Sequence, residues 1–196
     1  MNFPKFLLSA TLILGLSVGL LSAQTFSVDT EASSVKWTAS KVIGGGHNGS
    51  VSLASGKLVL ENGQLSQGSF AADMTTVSVD DLTGGMADKL SGHLFSDDFF
   101  GVTENPSSSF IINSIEKTGV NVYSVTGDLT IKGQMNSVTF PAALAWDNEL
   151  PTATATVAVD RTKFGIRYGS GSFFDDLGDK AIEDEFQLEI KLVGKR

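Results

Sequence analysis

The chain is 196 residues long, with 41% hydrophobic and 18% charged residues, enough apolar material for one sizeable core and too much for an intrinsically disordered chain. Its formal net charge of -8 argues against nucleic acid and anionic membrane as main partners, since both repel an acidic surface. Cysteine is absent, which excludes disulfides, thiolate chemistry, zinc–cysteine sites and a lipid-modified N-terminal Cys.

Residues 1–23 read as a secretory signal: Lys5 in a short basic region, an apolar run from Phe6 to Leu21, and Ser22-Ala23 before a cleavage point at Gln24. A membrane anchor is the alternative, but the run is short for a spanning helix and no basic flank follows it. Cleavage would leave residues 24–196 as one domain with no integral membrane span. It would remove Lys5 and no acid, taking the net charge from -8 to -9. An export signal on a disulfide-free chain suits a bacterial periplasm.

Strand signals follow one another. Phe26 to Asp29 is a short first piece. Val35, Trp37 and Ala39 alternate with Lys36, Thr38 and Ser40, and the period of two resumes at Val51 and Leu53 after the glycine-rich Gly44 to Gly49. Leu58 and Leu60 lead into Asn62-Gly63, a strong hairpin signal because both turn residues must take positive φ. The returning strand places Phe70, Ala72 and Met74 on one face. The period then changes: Met86, Leu90 and Leu94 are spaced by four, which predicts an amphipathic helix from Leu82 to Phe95 with His93 beside its apolar face. Ser96-Asp97-Asp98-Phe99-Phe100 ends it.

Strands return at Phe110 to Glu116 and then in the clearest hairpin of the chain. Tyr123, Val125, Gly127, Leu129 and Ile131 form one face of its first strand; after a turn at Gly133 to Asn136, Val138, Phe140, Ala142, Leu144 and Trp146 form the same face of its second. A two-stranded ribbon is marginal in water, so this dry face demands more sheet. Ala153, Ala155, Val157 and Val159 continue it, and the strand is read onward through Phe164, Ile166 and Tyr168. A Gly/Ser loop, a short acidic turn from Phe173 to Lys180, and a strand with Phe186, Leu188, Ile190 and Leu192 inward complete the chain.

Eight to ten antiparallel strands with one helix make an all-β fold, and unbroken alternation favours closure into a barrel, which removes exposed edges. A two-sheet sandwich is the runner-up. The small inward residues Gly127, Ala142, Ala153 and Ala155 either line a hollow or sit opposite bulky neighbours in a solid core; alternation does not decide.

WTASKV, DKLSGHLFSDDFF, YSVTGDLTIKG and VDRTKFGI, in this order and spacing, together resemble the YceI-like family of bacterial periplasmic proteins over essentially Thr25 to Val193. The resemblance implies an extended antiparallel lipocalin-like barrel, with one amphipathic helix and a short helical turn, whose tunnel binds a polyisoprenoid or other long apolar chain. It implies neither enzymatic activity nor a cofactor. The ligand candidates are then the inward residues Trp37, Phe70, Phe110, Leu129, Ile131, Phe140, Leu144, Trp146, Phe164, Ile166 and Tyr168, with Phe95, Phe99 and Phe100 as a lid. Arg161 is the candidate for a head group such as a pyrophosphate or quinone, an ion pair with Asp160 being its other reading; Lys41, His47, Arg167 and Tyr168 are further donors. GGMADKLSGH departs from the family pattern in lacking an arginine before the helix's histidine.

Other chemistry finds little support. Gly44 to Gly49 matches GxGxxG, but no helix follows to present an N-terminus to a phosphate. GxSxG is absent. Two histidines without cysteine do not suggest a transition-metal site, and the acids Asp175, Asp176, Asp179, Glu183, Asp184 and Glu185 are irregularly spaced, as on a solvated rim rather than around calcium. Two readings remain: a secreted lipid-binding barrel, and an enzyme acting on an isoprenoid lipid with His93, Asp97 and Asp98 as acid–base groups. Homodimer formation is left open.

Overall fold

The computed structural model describes residues 23–196, so the signal expected over residues 1–23 lies outside the described residues except for Ala23, where β1 (Ala23–Val28) begins. The chain continues with β2 (Ser34–Lys41), β3 (Gly46–Glu61), β4 (Gln64–Asp73) and α1 (Gly85–Phe95). Then come β5 (Ser107–Gly119), β6 (Val122–Ile131), β7 (Gln134–Asp147), β8 (Leu150–Asp160) and β9 (Ile182–Lys195).

All these strands pair antiparallel, in the order β3-β2-β9-β8-β7-β6-β5-β4, and β4 pairs back onto β3. The eight strands β2 to β9 therefore form a closed barrel, which excludes the sandwich. β1 shares the slot of β2 farther along the barrel: Phe26 faces Leu58 and Ser27 faces Lys195, whereas Val35 lies between Val51 and Ile190. At about 3.3 Å per residue, the 16 residues of β3 span roughly 50 Å, so the barrel is long for its girth.

Turn chemistry fixes the register. Asn62 and Gly63 have φ of 52° and 74°, as the hairpin signal requires. The central hairpin turns at Lys132-Gly133 (φ 51° and 69°), just ahead of the expected Gly133 to Asn136, because Ile131 already pairs with Gln134.

Two other expectations need correction. The helix begins at Gly85 rather than Leu82, since Gly84 sits at φ 60°, ψ -147°, which no helix continues through. Met86 is 68% exposed, so the helix buries only its Leu90 and Leu94 end. β8 does not run on to Tyr168. Asp160 Oδ1 accepts hydrogen bonds from the Thr162 N–H at 3.0 Å and its hydroxyl at 2.6 Å, starting a 3-10 turn over Arg161–Phe164 that Gly165 (φ 74°) ends. Phe164 and Ile166 are therefore buried on a folded-over segment, and Tyr168 is exposed.

The barrel is packed at both ends. Around the hairpin turns, Phe26, Leu58, Leu60, Leu65, Tyr123 and Leu144 form one solid cluster. At the helix end, Met74, Val77, Leu94 and Val102 pack beneath α1, beside a second cluster of Ile131, Val157, Val159, Phe164 and Ile166.

Candidate functional site

Between the two packed ends the barrel is hollow. Tyr123 and Val125 are 1% and 2% exposed near the closed end, yet Leu129, Phe70, Phe110, Phe140, Leu188 and Ile190, on the same inner face, are only half-buried. These half-buried side chains border a cavity of about 220 Å³. That exceeds the ~150 Å³ of an apolar void that stays dry and admits a benzene-sized guest.

Of the candidates read from the sequence, Trp37, Phe70, Phe110, Leu129, Ile131 and Phe140 line this cavity from the strands. Phe99 and Phe100 reach it from the segment after α1, and Arg161 and Ile166 from the folded-over turn. The remainder lie off its wall. Phe95 packs into the cluster under α1, Phe164 is 1% exposed within the helix-end core, and Leu144 belongs to the closed-end cluster. Trp146, 41% exposed, lies at the closed-end rim, still paired with Pro151, with its ring edge-on to Phe26 at 6.1 Å. Tyr168, 45% exposed, packs against the outer side of Phe99 and against His93, with centroids at 5.6 and 4.4 Å.

The wall also includes Leu53, Val157, Phe186, Leu188 and Ile190, which the same alternation marks as inward. Of the small residues, Ala142, Ala153 and Ala155 line the hollow. Gly127 does not: a Cβ there would fall 2.5 Å from the Phe110 ring and 2.4 Å from the Ile111 carbonyl oxygen, so its smallness seats Phe110.

Arg161 is 4% exposed, and four hydrogen bonds hold its guanidinium. Nε donates to Glu183 O at 2.9 Å, Nη1 to Ile166 O at 3.1 Å and Tyr168 O at 2.8 Å, and Nη2 to Ile182 O at 3.0 Å. Its carboxylate neighbour across the turn is Asp184, with Nη2 3.6 Å from Oδ1; Asp160, the partner expected from sequence, instead caps the turn. Burial draws the guanidinium below its usual value, opposed by the charges of Asp184 and Asp160. For Asp184, burial alone would raise the carboxyl; the neighbouring Ser170 and Ser172 hydroxyls, the latter donating to Oδ2 at 2.6 Å, and the charge of Arg161 outweigh it and hold the group below the usual 3.8. Arg161 thus ties the 165–170 turn to the start of β9.

The indole Nε1 of Trp37 donates to Ser78 O at 3.1 Å, which fixes the ring as part of the wall. His93 is off the wall, with Nε2 3.5 Å from Asp98 Oδ2 and its ring edge-on to Phe99 at 4.9 Å. Asp97 and Asp98 are exposed. His47 pairs with Asp81 at 2.8 Å on the surface. Among the described residues, no group of three or more His, Asp or Glu converges closely enough to hold a metal ion, and no helix is long and apolar enough to cross a membrane.

Comparison with known proteins follows from this geometry. A UPF0312 protein of Pseudomonas putida is 29% identical over 199 residues, spanning 94% of this chain and 95% of its own. The crystal structure of BcnA from Burkholderia cenocepacia superposes with a TM-score of 0.70 at 22% identity, over 86% of this chain and 99% of that one. A polyisoprenoid binding domain from Saccharophagus degradans superposes with a TM-score of 0.62 at 11% identity, over 89% and 98%. At these identities the two structures establish a shared fold. Residues 26–194, nearly the whole described chain, match the YceI-like domain, and the chain belongs to the YceI-like family.

Proposed function

We propose that this protein is a carrier, exported to the periplasm, that holds one long apolar chain, such as an isoprenoid, in the barrel cavity. The observation that carries the reading is a hollow walled almost entirely by carbon and set between packed clusters. Burial of a methylene is worth roughly 0.8 kcal/mol, so about ten of them supply a gross ~8 kcal/mol, the micromolar scale before ordering is subtracted. The polyisoprenoid binding domain of Saccharophagus degradans, alike in fold, supports the choice of an isoprenoid. The apolar run of residues 6–21 with Lys5 before it supports export.

Catalysis on such a lipid is the weaker reading. His93, Asp97 and Asp98 do not border the cavity, and Phe99 stands between His93 and the hollow.

The tryptophans provide a test, because Trp37 lines the cavity and Trp146 lies at the closed-end rim. In a Trp146→Phe background, titration with geranylgeraniol should saturate a change in Trp37 emission at one molecule per chain. Ala155→Phe, which projects a ring into the hollow and adds no second tryptophan, should weaken that binding at least about tenfold while the fold is kept. An unchanged Trp37 signal in delipidated protein at saturating geranylgeraniol would sink the proposal.

A further inference from the structure

The helix-end rim carries apolar side chains that the cavity does not use. Val42 and Ile43, in the β2–β3 turn, are 53% and 64% exposed; Phe173 and Phe174, in the loop before β9, are 46% and 51% exposed. Singly exposed apolar residues are ordinary, but adjoining ones mark an interaction site. These adjoin through the backbone. The Val42 N–H donates to Ala181 O at 2.9 Å, the Ile182 N–H donates to Gly169 O at 2.8 Å, and the Phe174 N–H donates to Ser170 O at 3.0 Å, with Ser170 bridged to Ile182. Both loops thus hang from Ala181-Ile182. Arg167 lies over the Phe173 ring, 4.6 Å from its centroid, and holds it in place.

The cavity wall extends to this point, since Ile182 and Glu183 belong to it. The β2–β9 seam is broken here: Ala39 pairs with Phe186 but Lys41 pairs with Ile182, four residues of β9 advancing against two of β2.

We propose that this rim is a docking surface for the lipid bilayer, with Val42, Ile43, Phe173 and Phe174 entering the headgroup–acyl boundary so that an apolar chain passes between bilayer and cavity. This rests on the chain-binding reading above. Continuity of the apolar rim with the cavity wall at Ile182 selects the bilayer: a chain crossing here stays out of water only if the rim itself touches the apolar layer. Charge selects its chemistry. Lys41, Arg167 and Lys180 are balanced by Asp175, Asp176 and Asp179, Glu183 adds another acid, and the chain carries -8. No basic cluster is offered to anionic lipid, so docking depends on apolar insertion, tolerates salt and suits a zwitterionic surface.

The test is co-flotation of the purified protein with phosphatidylcholine vesicles, read beside uptake of geranylgeraniol from solution by Trp37 emission. The protein should float with the vesicles at low and high salt alike. The double variant I43D/F174D should lose at least about tenfold in the vesicle-bound fraction, with circular dichroism and geranylgeraniol uptake unchanged. Failure of the protein to float, or flotation of the double variant at the original level, overturns the proposal. So does a protein that stays off the vesicles as a dimer and becomes a monomer in the double variant, since the rim is then a self-association face. Flotation lost in the double variant while neither protein takes up geranylgeraniol sustains docking and removes the chain-binding reading instead.

Discussion

Arg161 shows how one residue type supports two readings that only three-dimensional partners separate. Beside Asp160 in the sequence it looks like an ion pair or a head-group donor; in the fold it serves four carbonyl oxygens from residues 166, 168, 182 and 183. Replacing it by Met leaves those acceptors unpaired in a closed space and should cost about 3–5 kcal/mol in urea unfolding. Arg161→Lys should recover little, because an ammonium cannot reach the acceptors in the planar pattern that the guanidinium serves. If Arg161→Met unfolds at the original urea concentration and only ligand affinity falls, the anchoring role is wrong. Asp184 adds a pH dependence. Its folded-state carboxyl titrates below the usual 3.8, so its contribution is complete above that value and is lost as pH falls through the lower folded value. Asp184→Asn should therefore flatten the acid limb of the stability curve below about pH 4; an unchanged limb would remove Asp184 from the account. Tyr123 presents the opposite case: its hydroxyl is buried without a partner. Tyr123→Phe should raise stability by about 1 kcal/mol, and a comparable loss would mean that the hydroxyl has a partner in solution.

At the scale of elements, the alternation of side chains was legible because a strand has only two faces, and Asn62-Gly63 announced its turn by needing two positive φ values. Reading stopped short where a local cap overrode the pattern. Asp160 and Gly165 bend the chain between Val159 and Ile166 although the apolar spacing continues; the Asp-x-Thr cap of Asp160 and Thr162 was the available signal. Trp146 has the inward parity of Leu144, but parity does not say where a barrel ends. Gly127 reads equally as open wall or as a small residue opposite a bulky neighbour, and the structure selects the second, with the Phe110 ring against it. Gly127→Ala should cost roughly 1–3 kcal/mol, as overpacking does, and should distort the cavity by displacing the Phe110 ring. A fully stable Gly127→Ala with unchanged geranylgeraniol affinity would show that the wall adapts freely.

For the whole molecule, the inward residues could be named from sequence, but whether they meet could not. A hollow depends on the barrel's girth and on the volumes facing one another across it, and strand periodicity carries neither. The three alanines at 142, 153 and 155, set among half-buried aromatic rings, are what the closed barrel turns into space. The cavity ends at the cluster around Tyr123 and Leu144, and its wall extends to Ile182 toward the helix end. The most direct measurement is native mass spectrometry of the protein released from its host without detergent. The account predicts a mass excess of one apolar molecule per chain, extractable into organic solvent and missing from Ala155→Phe. A protein that is folded, monodisperse and of bare polypeptide mass, and that remains so after exposure to geranylgeraniol, would contradict it.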